Sequence, residues 1–151
     1  MVIIIQGSKK DISVSKEIEK FLDILSVKSR IFTSSAHKTP EHLLALIRKY
    51  NSADKQIVFI CVAGRSNALG GFVDANTHFP VINCPPYSDK YSGLDILSSL
   101  RMPTGIAVST VLEPQAAALS AAKILAINDN KLALAIKKYH QTLKQEVIKS
   151  N

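Results

Sequence analysis

Five short runs of apolar residues recur along the chain, and each one ends in polar or glycine-containing turn residues. The first, third and fifth runs are nearly continuous and rich in β-branched residues, which is typical of parallel strands covered on both faces. The pattern predicts strands over residues 2–5, 27–33, 57–62, 80–84 and 105–110. Because parallel strands need crossover connections, helices are expected between them.

The intervening stretches carry apolar residues at helical spacing. Ile18, Phe21 and Leu22 fall on one side of the first stretch, and Thr39 with Pro40 forms a plausible N-cap and first helical position for the second. Helices are predicted over residues 13–25, 40–50, 66–75, 91–100, 114–127 and 131–147. Alternating strands and helices predict an α/β fold, namely a flavodoxin-like doubly wound parallel sheet in a three-layer αβα sandwich.

The 151 residues fit a single domain, with a core over residues 1–127 and a C-terminal helix over about 129–149. Residues 114–127 are apolar almost all round, which predicts burial on several sides, with the extra cover expected from other subunits. The C-terminal helix is amphipathic and is expected to pack on neighbouring subunits. We therefore expect a homo-oligomer.

Composition narrows the function classes. No cationic leader precedes the first apolar run, and no run approaches the roughly 20 residues of a membrane helix. Cys61 and Cys84 both lie in strand-like runs, which predicts buried free thiols and a cytoplasmic location. The formal charge of +7 comes from scattered lysines without interleaved aromatic residues, so it favours an anionic small molecule over nucleic acid.

Residues 7–11, Gly-Ser-Lys-Lys-Asp, follow the first predicted strand. Ser8, Lys10 and the exposed amides are suited to a phosphate, and Asp11 can accept hydrogen bonds from ribose hydroxyls. The same pattern also fits a helix cap with two surface lysines. It is neither a P-loop nor a dinucleotide-binding pattern.

His37 is the best candidate for proton transfer. It follows the end of the second strand, beside Ser35 and Lys38, and imidazole titrates near neutrality. The other histidines lack such a setting and are interpreted as surface or packing residues. The histidines and cysteines have no metal-ligand spacing, so no metal is expected.

Residues 63–70, Ala-Gly-Arg-Ser-Asn-Ala-Leu-Gly, follow the third strand. Gly64 allows a ligand to approach the backbone closely, and Arg65, Ser66 and Asn67 add a cation, a hydroxyl and an amide. Since all strands end at one edge, these loops predict one small-molecule site at the switch point in strand order.

These motifs together resemble the PurE family of purine biosynthesis. Residues 35–41, Ser-Ala-His-Lys-Thr-Pro-Glu, are similar to its histidine loop, and residues 7–11 resemble its Gly-Ser-x-Ser-Asp loop. Residues 102–105, Met-Pro-Thr-Gly, and the alanine-rich stretch after Glu113-Pro114 also match, so the resemblance covers residues 2 to about 127. One departure is Lys10, which stands where the family has a second serine.

The family has two branches. Lys38 and the segment 63–70 resemble the second branch, aminoimidazole ribonucleotide (AIR) carboxylase, and Cys84-Pro85-Pro86 with Ser98-Ser99-Leu100-Arg101 supports that assignment. The resemblance implies addition of CO2 to AIR at C4 without ATP, biotin, metal or another cofactor. It also implies an octamer, His37 and Lys38 as catalytic residues, and substrate contacts from the three loops.

Two alternatives remain. One is the other branch, a mutase that moves a carboxyl group from the exocyclic nitrogen to C4 of the same nucleotide. The other is a non-catalytic sensor of nucleotide phosphates on the same fold, which would bind without turnover.

Overall fold

The computed structural model describes residues 1–150. A five-stranded parallel sheet in the order β2-β1-β3-β4-β5 forms its centre. The strands are β1 (Val2–Gln6), β2 (Ser29–Thr33), β3 (Val58–Val62), β4 (Val81–Asn83) and β5 (Ser109–Thr110). The helices are α1 (Ile12–Ile24), α2 (Pro40–Asn51), α3 (Ala68–Asp74), α4 (Leu97–Leu100), α5 (Pro114–Ala126) and α6 (Asn130–Lys149). The predicted doubly wound α/β fold is confirmed.

Two hydrophobic clusters make the three layers. Side chains alternate along each strand, so Val2 and Ile4 face α1 and α5, whereas Ile3 and Ile5 face α2 and α3. The helix α1, which connects β1 to β2, covers one face of the sheet, and α2, which connects β2 to β3, covers the other. The switch point therefore lies between β1 and β3, whose following loops turn to opposite faces of the sheet.

The prediction of a helix over residues 91–100 is wrong in its first half. Tyr91, Ser92 and Gly93 have φ values of 52°, 54° and 76°, so the backbone there is left-handed and cannot continue an α-helix. A right-handed α-helix forms only over the four residues of α4. The last strand is also shorter than predicted, because Gly105 turns the chain with a φ of 88° and pairing begins at Ser109.

The alanine-rich helix α5 is covered by its own chain. Ala117, Ala118, Ala121 and Ala122 are buried in the cluster formed with α1, the sheet and α6. The cover expected from other subunits comes here from α1, the sheet and α6 of the same chain, and the homo-oligomer stays a prediction.

The first half of helix α6 packs on the rest of the chain, and its last turns are exposed. Leu132 and Ile136 are buried, and Tyr139 contacts Phe21 edge to face at 5.3 Å between ring centroids. Further along, Val147 and Ile148 are 67% and 70% exposed. Over residues 1–150, no helix has both the length and the apolar character needed to span a bilayer.

Candidate active site

Three loops leave the same edge of the sheet from adjacent strands. The N–H of Gly7 donates to the carbonyl of Val62 at 2.9 Å, and the N–H of Ser34 donates to the carbonyl of Gln6 at 3.0 Å. Neighbouring strands are about 4.8 Å apart, so the loops after β2 and β3 start within about 10 Å of each other, on either side of the loop after β1. The structure thus brings the three predicted motifs to one edge.

The loop after β1 is a short 3-10 turn. The hydroxyl of Ser8 accepts the N–H of Lys10 at 3.2 Å, and the carbonyl of Ser8 accepts the N–H of Asp11 at 3.1 Å. The proton of the Ser8 hydroxyl is left for a ligand, since a hydroxyl both donates and accepts. Asp11 is half-buried, and burial raises the pKa of its carboxyl while the backbone of Ser8 opposes the rise.

The loop after β2 is held by hydroxyl groups. The N–H of Ser35 donates to Thr39 Oγ1 at 2.9 Å, and the N–H of Lys38 donates to Ser35 Oγ at 3.2 Å. Thr39 is the N-cap residue of α2, as predicted. Its hydroxyl binds Ser35 within the loop and makes no cap hydrogen bond to the helix. The side chains of His37 and Lys38 are left exposed at the tip of this turn.

His42 has a role that its sequence context did not indicate. Its Nδ1 lies 3.1 Å from the hydroxyl of Ser34, which is buried at the end of β2 and also contacts Thr39 at 3.2 Å. This contact ties the first turn of α2 to the start of the histidine loop. His42 is therefore a support for the loop rather than a plain surface residue.

The loop after β3 has an unusual backbone. Arg65 has a φ of 51°, a conformation that residues with a side chain adopt at a cost. Arg65 and Ser66 are exposed, and within residues 1–150 the backbone N–H groups of Gly64, Arg65 and Ser66 make no hydrogen bond. These groups are available to a ligand.

Asn67 has a different setting. Its side chain is buried, its Nδ2 donates to Ser99 Oγ at 2.9 Å, and its Oδ1 accepts the N–H of Gly70 at the start of α3. Its side chain thus braces the loop, and its predicted contact with substrate stays a prediction.

A buried polar network lies behind this loop, and the sequence pattern did not predict it. Ser99 on α4 links Asn67 to Asn83 of β4, whose Nδ2 donates to the Ser99 carbonyl at 3.3 Å. The same carbonyl accepts the hydroxyl of Thr110 at 2.8 Å. The pair Gly70-Gly71 inside a predicted helix was the available signal, because a helical glycine often marks a close contact.

Both cysteines are free and buried, as predicted. Burial raises the pKa of both thiols, that of Cys84 to about 12, with Glu113 and Glu17 adding to the effect at Cys84. Since thiolates are the reactive form, neither sulfur is suited to be a nucleophile.

Comparison with known proteins agrees with this geometry. The family described as AIR carboxylase matches residues 1–146. The chain belongs to the AIR carboxylase family. It is 47% identical over 149 residues to the phosphoribosylaminoimidazole carboxylase of Archaeoglobus fulgidus, which covers 99% of this chain and 82% of that protein. The crystal structure of Treponema denticola PurE superposes with a TM-score of 0.96 at 42% identity, covering 98% of this chain and 94% of that one.

The family also includes longer proteins. The bifunctional phosphoribosylaminoimidazole carboxylase/phosphoribosylaminoimidazole succinocarboxamide synthetase of Drosophila melanogaster is 44% identical over 129 residues, which are 85% of this chain and 30% of that protein.

Within the AIR carboxylase family, Lys10 remains the departure of interest. Its backbone N–H donates to Ser8 Oγ, so it supports the turn whatever its side chain does. The side chain itself is exposed and projects from the loop after β1. An ammonium there can replace a lost hydroxyl contact to an anion by charge.

Proposed function

We propose that this protein carboxylates AIR at C4 with CO2, reversibly, to give 4-carboxy-5-aminoimidazole ribonucleotide. Membership of the AIR carboxylase family places the chain in purine biosynthesis. The observation that carries the finer proposal is the arrangement of three exposed loops on adjacent strands, one with His37 and Lys38, one with Ser8 and one with Ser66.

The loop after β1 would anchor the nucleotide. Ser8 keeps a hydroxyl proton for the phosphate, Lys10 supplies positive charge, and Asp11 accepts from ribose hydroxyls. Binding energy from this remote group orients the aminoimidazole ring at the crevice between β1 and β3.

The chemistry needs little activation of the substrate. The amino group of AIR pushes electron density onto C4, which attacks CO2, so the protein mainly holds a small gas molecule against that carbon. Negative charge grows on the new carboxylate. Lys38, the hydroxyls of Ser35 and Ser66, and the free amides near Gly64 are suited to stabilise it.

The second step is loss of the proton from tetrahedral C4, which restores the aromatic ring. His37 is exposed at the loop tip beside Lys38, and it is the base of this proposal. General base catalysis of this kind contributes about a hundred- to ten-thousand-fold. No ATP, biotin, metal or other cofactor is required by these steps.

The test replaces His37 by asparagine, which keeps size and polarity but removes the base. We expect carboxylation, followed by ultraviolet absorbance with AIR and bicarbonate, to fall at least a hundredfold while AIR binding changes little. His78→Asn, in the exposed loop between α3 and β4, is the matched control and should keep wild-type rates. Near-normal turnover by His37→Asn would remove His37 from the mechanism.

The branch is tested by the choice of substrate. The carboxylase uses AIR with CO2, whereas the mutase uses only the N-carboxylated isomer of AIR. Lys38→Ala is expected to weaken the handling of CO2 and carboxylate more than the binding of AIR. A protein that binds AIR tightly but turns over neither substrate would be the nucleotide sensor.

We also propose that the protein is a homo-oligomer, with an octamer as the form that the family resemblance implies. The support is the far half of α6, where Leu143, Val147 and Ile148 are exposed apolar residues. Light scattering after gel filtration measures the subunit number. Replacing Val147 and Ile148 together by serine should lower it, and an unchanged mass would exclude this end of α6 from the interface.

A further inference from the structure

Ser98 on α4 contacts both the loop after β3 and the segment that precedes α4. Its hydroxyl accepts the N–H of Asn67 at 3.0 Å and lies 3.0 Å from the carbonyl oxygen of Arg65. The carbonyl oxygen of Asp95 is 2.8 Å away on the other side. A hydroxyl carries one proton, so it donates to only one of these two carbonyls at a time.

Ser98 contacts the residues on both sides of the exposed Ser66. Arg65 and Asn67 flank Ser66, and each is fixed to Ser98 through its backbone. The left-handed φ of Arg65 is intrinsically unfavourable, so the surrounding contacts must hold it. The contact between the Ser98 hydroxyl and the Arg65 carbonyl acts directly on the strained residue.

Ser99 has a different task. Its hydroxyl is buried and binds the side chain of Asn67, while its carbonyl binds Asn83 and Thr110 in the core. Ser99 therefore anchors α4 to the sheet. Because α4 is held in this way, the position of the Ser98 hydroxyl relative to the loop after β3 is fixed.

We propose that Ser98 is a positioning residue of the active site. Its hydroxyl holds Arg65 left-handed and so fixes where Ser66 and the free amides of Gly64 to Ser66 point. The conformational statement rests on geometry alone. Its consequence for turnover rests on the proposed carboxylase function.

Limited proteolysis tests the conformational statement without any activity assay. Trypsin cleaves after Arg65. Ser98→Ala removes the acceptor of the Asn67 N–H and the proton that the hydroxyl shares between the carbonyls of Arg65 and Asp95. We expect cleavage at Arg65 to become about tenfold faster, while cleavage at Lys55, in the exposed turn before β3, serves as an internal reference and stays unchanged. Ser98→Thr keeps the hydroxyl and should restore slow cleavage, and Ser13→Ala on the exposed start of α1 is the matched control.

A measurement on the unaltered protein covers the case in which Ser98→Ala does not fold. The amide of Asn67 donates to Ser98, whereas those of Arg65 and Ser66 have no partner within residues 1–150. Hydrogen exchange should therefore be slower at Asn67 than at these two neighbours. Equal exchange at the three amides would overturn the proposal.

Kinetics test the consequence for turnover. Ser98→Ala should lower kcat/KM for CO2 about tenfold, while KM for AIR stays within about twofold, because the nucleotide is anchored on another loop. A merely less stable variant would lose kcat in proportion to its folded fraction. If the wild-type protein does not carboxylate AIR, the proposed function fails, and proteolysis still decides the role of Ser98. Unchanged cleavage at Arg65 in Ser98→Ala, or a Thr variant as fast as the Ala variant, would refute it.

Discussion

Gly70 is expected to be irreplaceable although it lies inside a helix. A Cβ atom at this position would stand 2.0 Å from Oδ1 of Asn83 and 2.7 Å from its Cγ. Asn83 is fully buried in β4, and its Nδ2 is bonded to the carbonyl of Ser99. The side chain cannot move away without losing that bond.

The cost of Gly70→Ala follows from these contacts. Overpacking of a core costs about 1–3 kcal/mol, and a buried amide left without its hydrogen bond costs about the same. The better helix propensity of alanine returns about 1 kcal/mol. The net loss of unfolding free energy is therefore about 3 kcal/mol, or roughly 6–12 °C in Tm for a chain of this length.

Gly71 provides a matched control one residue along the same helix. A Cβ atom there would meet Met102 Sδ at 3.4 Å and Ile106 Cγ2 at 3.9 Å, which are ordinary contacts. Gly71→Ala should be neutral or stabilising by up to about 1 kcal/mol. Urea unfolding followed by circular dichroism compares the midpoints at constant slope.

The double variant Gly70→Ala/Asn83→Ala isolates the cause. Removing the amide opens the space, and the carbonyl of Ser99 keeps the hydroxyl of Thr110 as a partner. The two changes should therefore cost less together than the sum of their separate costs, by about 1–3 kcal/mol. Equal stability of Gly70→Ala and Gly71→Ala, or strict additivity, would refute the reasoning.

Three further outcomes are expected. Cys61 and Cys84 should resist a thiol reagent at pH 8 in the native protein and react fully in denaturant, and fast native labelling of either would contradict their burial. Burial raises the pKa of the Asp11 carboxyl, so the folded state binds the carboxyl proton more tightly than the unfolded chain does. The free energy of unfolding therefore falls as the pH rises from 3.8, the ordinary pKa, through the raised pKa of the folded state. Asp11→Asn should remove that part of the slope in urea midpoints measured across the acid range, and an unchanged slope would exclude Asp11. Asp129 caps α6 by accepting the N–H of Leu132 at 3.0 Å, so Asp129→Ala should cost about 1 kcal/mol and Asp129→Ser much less.

The fold was predictable because its strongest signals are local. The runs at β1 and β3 are buried at every position, and a continuous β-branched run has few other solutions. Pro40 and Pro114 also mark the first residues of α2 and α5, as expected for proline at this position. Between such fixed points the alternation of strands and helices leaves one common topology.

The segment before α4 was not predictable in the same way. Its apolar spacing resembles a helix, but three successive left-handed residues interrupt it. The sequence carries only Gly93 as a warning, and a left-handed Tyr91 or Ser92 depends on tertiary contacts that spacing does not reveal. The predicted helix therefore holds only from Leu97.

The residues of the candidate site also differ in how well the sequence predicts them. His37 and Ser66 are predicted to face a ligand because they follow strand ends. The structure leaves both exposed, and their contact with substrate stays a prediction. Residues that hold the loops cannot be predicted in this way, because the partner of Asn67 lies 32 positions away on α4 and that of Gly70 lies on β4. A bracing hydroxyl on α4 has the same sequence appearance as a surface serine. It follows that substitutions at Ser98, Ser99 and Asn83 should change this site more than their sequence context suggests, and that the loop after β3 depends on α4 as much as on the strand that it follows.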